Sequence, residues 1–371
     1  VRLTFLMPSD DLTGGNRVVA TYAKCLQKLG YDVLVVSNAP DTNPWRKRVR
    51  AVLQGDWKKA MGLGQRLPGH VANSGVPHHV LSRKRPIQGS DVPDADFVVA
   101  TWWETADWMY ALPPSKGRHV HLIQGYEVWG GADQTASVHR VLRQPNLKIA
   151  ISNALKQTIE EALGPLGLHV VPNAVDLVQF NAPVRERNPV PRVGFIYAQA
   201  AIKGADVCKA ACELARLKIP DLQVLSFGVD DLLGPQSLPV GAQYVQRPNQ
   251  NELAHFYAQC DVWLFGSRLD SFGLPILEAM ACRTPVVGVP IGAAPDLLPE
   301  GGGELVPSES PQAMADALVR LFNEPASAWR LRSQQAHMRA HAYSWDDATQ
   351  RFLALLNLHA NVVGQEGQDH A

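Results

Sequence analysis

The chain has 371 residues, with 35 lysines and arginines against 35 aspartates and glutamates, and a formal net charge of +0. Hydrophobic residues make up 46% and charged residues 19%, the balance of a globular protein and not of a disordered one. Neutrality argues against a polyanion such as nucleic acid as partner, and five scattered cysteines without a C-x-x-C pair argue against a disulfide framework or a zinc ribbon.

Taken in chain order, short apolar runs alternate with helical patterns, the signature of parallel βαβ units. Leu3–Met7 and Val33–Ser37 read as buried strands around the helical stretch Arg17–Leu29. Phe97–Ala100, His119–Ile123, Lys148–Ile151 and His169–Val171 continue that series. A second series runs through Arg192–Tyr197, Gln223–Phe227, Gln243–Val245, Val262–Phe265 and Pro285–Val289, with helical segments such as Gly204–Leu217 and Leu274–Cys282 between. The proline-rich stretch 181–191 reads as an exposed linker. The expected organisation is therefore α/β, with doubly wound domains at 1–180 and 192–345, a C-terminal helix at 346–361 crossing back to the first domain, and a polar tail at 362–371. No apolar run approaches the roughly 18 residues that a membrane span needs. Val1–Met7 reads as a strand, without a basic leader or a cleavage site, so a cytoplasmic protein is expected.

Open α/β sheets gather strand C-termini and helix N-termini at one edge, where backbone N–H groups favour phosphate. The most informative stretch is Ser267–Ala281. Gly273 suits a turn, Pro275 suits the first turn of a helix, Asp270 precedes that helix and Glu278 lies about one turn inside it. Two carboxylates so placed can each accept paired hydrogen bonds from vicinal hydroxyls, one set on a sugar and one on a ribose. On the residues alone, Asp270 serves equally as a helix cap and Glu278 as a satisfied buried group.

Asp270–Ala281 resembles the signature E-x-F-G-L-P-x-x-E-A-M-A of the retaining glycosyltransferases of family 4. The resemblance extends along nearly the whole chain. Leu3–Val36 with Gly14 and Gly15 is similar to the family's first β–GG–α–β unit. Ile149–Ser152, Val171–Asp176 with Phe180, Leu253–Leu264, Cys282–Val287, Gly303–Pro307 and Tyr343–Trp345 follow the family's order and spacing. The implied fold is GT-B, with two Rossmann-like doubly wound domains facing each other across a cleft. The implied activity is transfer of a sugar from a nucleotide-diphosphate sugar to an acceptor hydroxyl with retention of configuration, in polysaccharide or glycolipid assembly. A nucleotide-sugar epimerase of the same fold and a catalytically idle sugar-binding relative are the competing readings.

Carried over residue by residue, the resemblance gives Glu278 the ribose hydroxyls, Asp270 the donor sugar and Lys203 the diphosphate. A cation at Lys203 would stabilise the leaving group as its charge grows, with no metal and no other cofactor required. The family's companion arginine is absent, and Arg268 or Arg17 is the available substitute. Gly14, Gly15, Phe272, Gly273 and Leu274 complete the expected donor contacts. In the first domain Gln124 stands where many members have a histidine. Trp103, Glu104, Glu127 and Trp129 suit a sugar or lipid-linked acceptor, by stacking and hydrogen bonding, or else form core and salt bridges.

Asp94-Ala95-Asp96 spells a metal-binding D-x-D, but it precedes a strand and so lies at the wrong end of the sheet for the site. The neutral total conceals an asymmetry. From Arg46 to Arg85 there are ten basic residues and one acid, Asp56, interleaved with Trp45, Val49, Val52, Leu53 and Trp57. Such a stretch at 45–85 either rests on an anionic membrane surface or forms a solvated excursion.

Overall fold

The computed structural model describes residues 1–40, 68–234, 237–299 and 301–366. The basic residues Arg46 to Arg66 and the end of the tail lie outside them. The chain divides into two compact units, one of Val1–Ala150, Glu160–His169 and Thr349–Ala371, the other of Ile151–Ile159 and Val170–Ala348.

The first unit carries a seven-stranded sheet in the order β3-β2-β1-β4-β5-β6-β7. Its strands are β1 (Arg2–Met7), β2 (Asp32–Ser37), β3 (His78–Val80), β4 (Phe97–Ala100), β5 (Arg118–Ile123), β6 (Leu147–Ala150) and β7 (His169–Val170). The registered pairs are parallel, as between Phe5 and Val35 on one side of β1 and Phe5 and Val99 on the other. Helices cover such sheets on both faces, which is why Phe97-Val98-Val99-Ala100 is apolar throughout and wholly buried. Helix α1 (Gly14–Lys28) buries Val18, Val19, Tyr22, Ala23 and Leu26, one stripe at helical spacing. Leu6, Val36, Val98, Ala100, Ala106, Met109 and Val141 form a core beneath helices α2 (Trp103–Met109) and α3 (Ala132–Leu142). Helix α4 (Asn153–Leu163) follows β6.

The second unit carries a six-stranded sheet, β10-β9-β8-β11-β12-β13. Here the strands are β8 (Arg192–Ile196), β9 (Gln223–Gly228), β10 (Gln243–Gln246), β11 (Val262–Phe265), β12 (Val286–Gly288) and β13 (Gly303–Leu305). The intervening helices include α5 (Ala205–Arg216), α6 (Leu253–Ala258), α7 (Leu274–Ala281), α8 (Ala294–Leu297), α9 (Pro311–Asn323) and α10 (Ala326–His341). In both sheets the winding direction reverses beside the first strand, between β1 and β4 and between β8 and β11. Ligands of doubly wound sheets bind beyond the strand C-termini at such points.

Two differences from the sequence reading concern short segments. Residues 170–180, like 151–159, group with the second unit, not with the first. The Val175 N–H bonds to the Tyr343 carbonyl at 3.0 Å, and Phe180 packs edge-on against Tyr257, which ties this segment to the second unit. Strands β3 and β13 have no counterpart in the periodicity, because each has three residues, none of them buried. The final helix, α11 (Trp345–Glu366), counts with the second unit up to Ala348 and with the first from Thr349 onward. Its Phe352 lies against Phe5 and Tyr22, with ring centroids 6.4 and 5.2 Å away.

Candidate functional site

In the second unit the two loops at the reversal point are tied together. After β8 the chain makes a tight turn at Ala201–Lys203 and enters α5 through Gly204. Gly204 has φ +62°, and a Cβ there would stand 1.8 Å from the carbonyl oxygen of Gly266. Only glycine lets the turn approach the loop after β11 so closely. The N–H groups of Arg268 and Leu269 then bond to the Ile202 carbonyl at 2.8 and 3.3 Å. This places Lys203 Nζ 3.0 Å from Asp270 Oδ2. The lysine side chain is 42% exposed and that of Asp270 19%. An ion pair so open to water contributes only about 0–1 kcal/mol, so it positions the two groups more than it holds the fold.

The other carboxylate oxygen, Asp270 Oδ1, accepts the N–H groups of Phe272 and Gly273 at 3.1 and 2.8 Å. Gly273 takes a left-handed conformation (φ +88°) and hands the chain to α7, with Pro275 in its first turn. Asp270 is thus a loop cap through one oxygen and a lysine partner through the other. Glu278, one turn into α7, is buried, and its Oε2 accepts the hydroxyl hydrogen of Tyr257 at 2.7 Å. Tyr257, on α6, is itself fully buried, against Trp263 (centroids 4.5 Å), Phe227 and Phe180. The tyrosine within Leu253–Leu264 is a functional candidate that sequence reasoning passed over. Its signal was its place in a motif quoted only for the family.

Two expected donor contacts have other positions. Phe272 is buried in the unit, and its carbonyl accepts the Ala293 N–H. Arg268 does not stand as a free substitute for the missing arginine. Its Nη groups bond to both carboxylate oxygens of Asp206, to Glu309 and to the Ala201 carbonyl, and its Nε pairs with Glu309 at 2.7 Å. All five N–H donors of the guanidinium are engaged, so it braces the Lys203 turn. Leu274 lies half-buried at the start of α7.

In the first unit, Gly14 and Gly15 open α1, and the Gln124 side chain lies 3.5 Å from where a Gly15 Cβ would be. The loops after β4 and β5 meet there: Gln124 Nε2 is 3.5 Å from the Thr101 carbonyl, and the Trp103 N–H bonds to Glu127 Oε2 at 3.2 Å. Burial, with a contribution from neighbouring Glu104, pushes the Glu127 carboxyl up to about 8, so it is largely protonated at neutral pH. The ring facing Trp129 belongs to Trp102 and not to Trp103; the centroids are 5.8 Å apart and the planes inclined by 52°. Adjacent tryptophans at a helix start point different ways, so two of them in sequence did not tell which would pair.

Asp94 and Asp96 act as struts. Asp94 pairs with Lys116 at 2.9 Å, and Asp96 accepts the backbone N–H of Arg2 at 2.7 Å. Among the described residues no group of three or more His, Cys, Asp or Glu side chains is placed to hold a metal ion. Cys208 and Cys212 are buried free thiols on α5, and no described helix is long and apolar enough to cross a membrane.

Residues 190–324 match the family described as Glycosyl transferases group 1. A D-inositol 3-phosphate glycosyltransferase of Streptomyces bingchenggensis (strain BCW-1) is 30% identical over 263 residues, which are 68% of this chain and 51% of that protein. The chain thus spans about half the length of this relative. Among solved structures, Anabaena Alr3699/HepE in complex with UDP and glucose superposes with a TM-score of 0.72 at 17% identity, covering 96% of this chain and 99% of that one. Sucrose-phosphate synthase from Thermosynechococcus elongatus gives 0.71 at 17% identity, covering 97% and 99%. These two likenesses concern the fold.

Proposed function

From residues 190–324, which belong to the group 1 glycosyltransferases, and from the GT-B fold of the chain, we propose that this protein moves a sugar from a nucleotide-diphosphate sugar to an acceptor hydroxyl with retention of configuration. One observation carries the reading. Lys203 and Asp270 meet at the reversal point of the second sheet, with the buried carboxylate of Glu278 one turn into the adjoining helix. Glu278 takes the ribose hydroxyls, Lys203 the diphosphate, and Asp270 the donor sugar.

In the step proposed, the bond from the anomeric carbon to the diphosphate oxygen breaks as the acceptor oxygen bonds to the same face of that carbon. The acceptor's proton passes to a phosphate oxygen. Lys203 and the N–H groups at the start of α7 stabilise the negative charge left on the diphosphate, without a metal. Gln124, in the place of a histidine, serves positioning, since no protein base is required.

The donor class accords with the UDP and glucose bound by the Anabaena protein, and the Streptomyces relative's name gives a phosphorylated polyol as acceptor. Polysaccharide or glycolipid assembly is the setting proposed, with the basic stretch at 45–85 against an anionic membrane surface. Proton NMR of the product tests retention: an inverted anomer overturns the mechanism. Transfer that persists in excess chelator supports metal independence, and its loss, restored by a divalent cation, refutes it. Donor incubated without acceptor separates transfer from epimerisation.

A further inference from the structure

The loop that carries Asp270 is gripped through three successive carbonyls. Gly292, with φ +61°, approaches so closely that a Cβ there would stand 3.1 Å from the Asp270 oxygen and 2.8 Å from that of Phe272. The Phe272 carbonyl also accepts the Ala293 N–H at 2.8 Å. The carbonyl between them, that of Ser271, accepts the hydroxyl hydrogen of Ser152 at 2.9 Å. Ser152 is 2% exposed and lies 119 residues away in sequence. It stands just before α4: its carbonyl accepts the Lys156 N–H, and its Oγ accepts the Leu155 N–H at 3.1 Å. The serine is therefore the N-cap of that helix, accepting from the helix with its oxygen and donating its one hydrogen to the Asp270 loop. An aspartate would cap α4 as well, but an ionised carboxylate has no hydrogen to give. Beside it, Asn153 Nδ2 bonds to Asp296 Oδ2 at 3.2 Å, on α8, which begins directly after Ala293. Ile151–Ile159 count with the second unit, so Ser152 is the second residue of its segment there.

We propose that Ser152 is a positioning residue for sugar transfer: its hydroxyl, acting through the Ser271 carbonyl, sets where the Asp270 carboxylate stands. The inference rests on the glycosyltransferase reading for the role of Asp270, but not for the grip on the loop. Asp270 Oδ1 is bonded to the N–H groups of Phe272 and Gly273, so carboxylate and loop move as one piece. A shift of the Ser271 peptide carries Oδ2, the oxygen that faces Lys203, along with it. Small misplacements of a group at the reacting centre lower the rate steeply. Glu278 follows Gly273 on α7 and is held separately by Tyr257, so the nucleotide contact proposed for it keeps its place. Turnover therefore depends on Ser152, and nucleotide affinity does not.

The test compares Ser152→Gly, Ser152→Ala and Ser152→Thr in the full chain. Glycine serves at an N-cap nearly as well as serine, alanine does not, and threonine keeps the hydroxyl. Amide hydrogen exchange needs no ligand. In Ser152→Gly and Ser152→Ala the Phe272 and Gly273 amides should exchange at least about tenfold faster, with those of α7 unchanged, and Ser152→Thr should restore protection. Steady-state rates are then measured with UDP-, GDP-, ADP- and dTDP-glucose, with inositol 3-phosphate and methyl glucoside as acceptors. Here kcat should fall about tenfold in Ser152→Gly and Ser152→Ala alike, and Ser152→Thr should recover most of it. Calorimetric affinity for UDP and GDP should stay within about twofold of the wild type. A role confined to capping α4 leaves Ser152→Gly near the wild type and only Ser152→Ala impaired, and that order overturns the proposal. So do wild-type exchange rates in the loop of Ser152→Gly. A wild-type chain that transfers from none of these donors counts against the glycosyltransferase reading, while the exchange rates still decide whether Ser152 holds the Asp270 loop.

Discussion

Tyr257 donates its hydroxyl hydrogen to Glu278 Oε2 across 2.7 Å, and both side chains are buried. A carboxylate on a helix has rotational freedom about its last bonds, and this contact fixes one of its oxygens. The ribose-binding role proposed for Glu278 depends on that orientation.

Tyr257→Phe keeps the ring packed on Trp263 and removes only the hydroxyl. A hydrogen bond of this kind is worth about 0.5–1.5 kcal/mol net, so nucleoside diphosphate affinity should fall by up to roughly tenfold as the carboxyl group loses its fixed orientation. Calorimetry against the ribonucleotide and its deoxy counterpart checks the cause. Loss of orientation shrinks the preference for ribose, whereas a merely destabilised fold lowers both affinities alike.

Lys203→Ala should lower kcat by about a hundredfold to a thousandfold, the usual effect of removing a group that stabilises transition-state charge. The melting temperature should change little, because the pair with Asp270 is open to water. Steady-state kinetics and calorimetric melting on one preparation test both halves. Wild-type turnover would remove Lys203 from the site.

Gly204→Ala should damage the fold around the same lysine. The added methyl carbon stands 1.8 Å from the Gly266 carbonyl oxygen, and φ +62° is itself strained for alanine. A loss of roughly 2–4 kcal/mol is expected, with weaker nucleotide binding in whatever remains folded. Urea unfolding measures the first effect and thermal shift by nucleotide the second. A methyl group accepted without change would mean that the turn and the loop after β11 do not approach as described.

Glu127 supplies a pH dependence. Its carboxyl is raised from 4.5 to about 8 by burial, so the folded chain keeps a proton that the unfolded chain gives up. The stabilising contribution is whole below pH 4.5, declines as pH rises towards 8, and is gone above that. Glu127→Gln, which cannot ionise, should therefore gain stability relative to the wild type across that interval. Melting curves at several pH values follow the difference, and a constant difference would show that Glu127 ionises normally.

The architecture was legible because buried parallel strands write themselves as uninterrupted apolar runs. Phe97–Ala100 and Val262–Phe265 have the same limits in the sequence reading and in the structure. Strands β3 and β13 were not legible, being too short and too exposed to carry a pattern. In the second unit the composition of Ser267–Ala281 pointed to a loop–helix junction, yet it left two roles open for Asp270. The structure shows the capping contacts and a lysine contact together, one on each oxygen. Arg268 shows the opposite limit. Its charge suggested a phosphate partner, but Asp206 and Glu309 lie 62 and 41 residues away in sequence, and no local pattern links them to it. Likewise, nothing in the order Trp102-Trp103 tells which indole meets Trp129, because that depends on how the chain turns into α2.

The contact between Lys203 and Asp270 has a consequence for traffic through the proposed donor site. Before a nucleotide arrives, the lysine already has a counter-ion supplied by its own chain. Binding then swaps one anion for another instead of neutralising a bare cation, so the salt sensitivity of nucleotide affinity should be muted. When the spent diphosphate loosens, the carboxylate is waiting to take its place. In the proposed cycle Asp270 would be the group that returns to Lys203 as the product leaves.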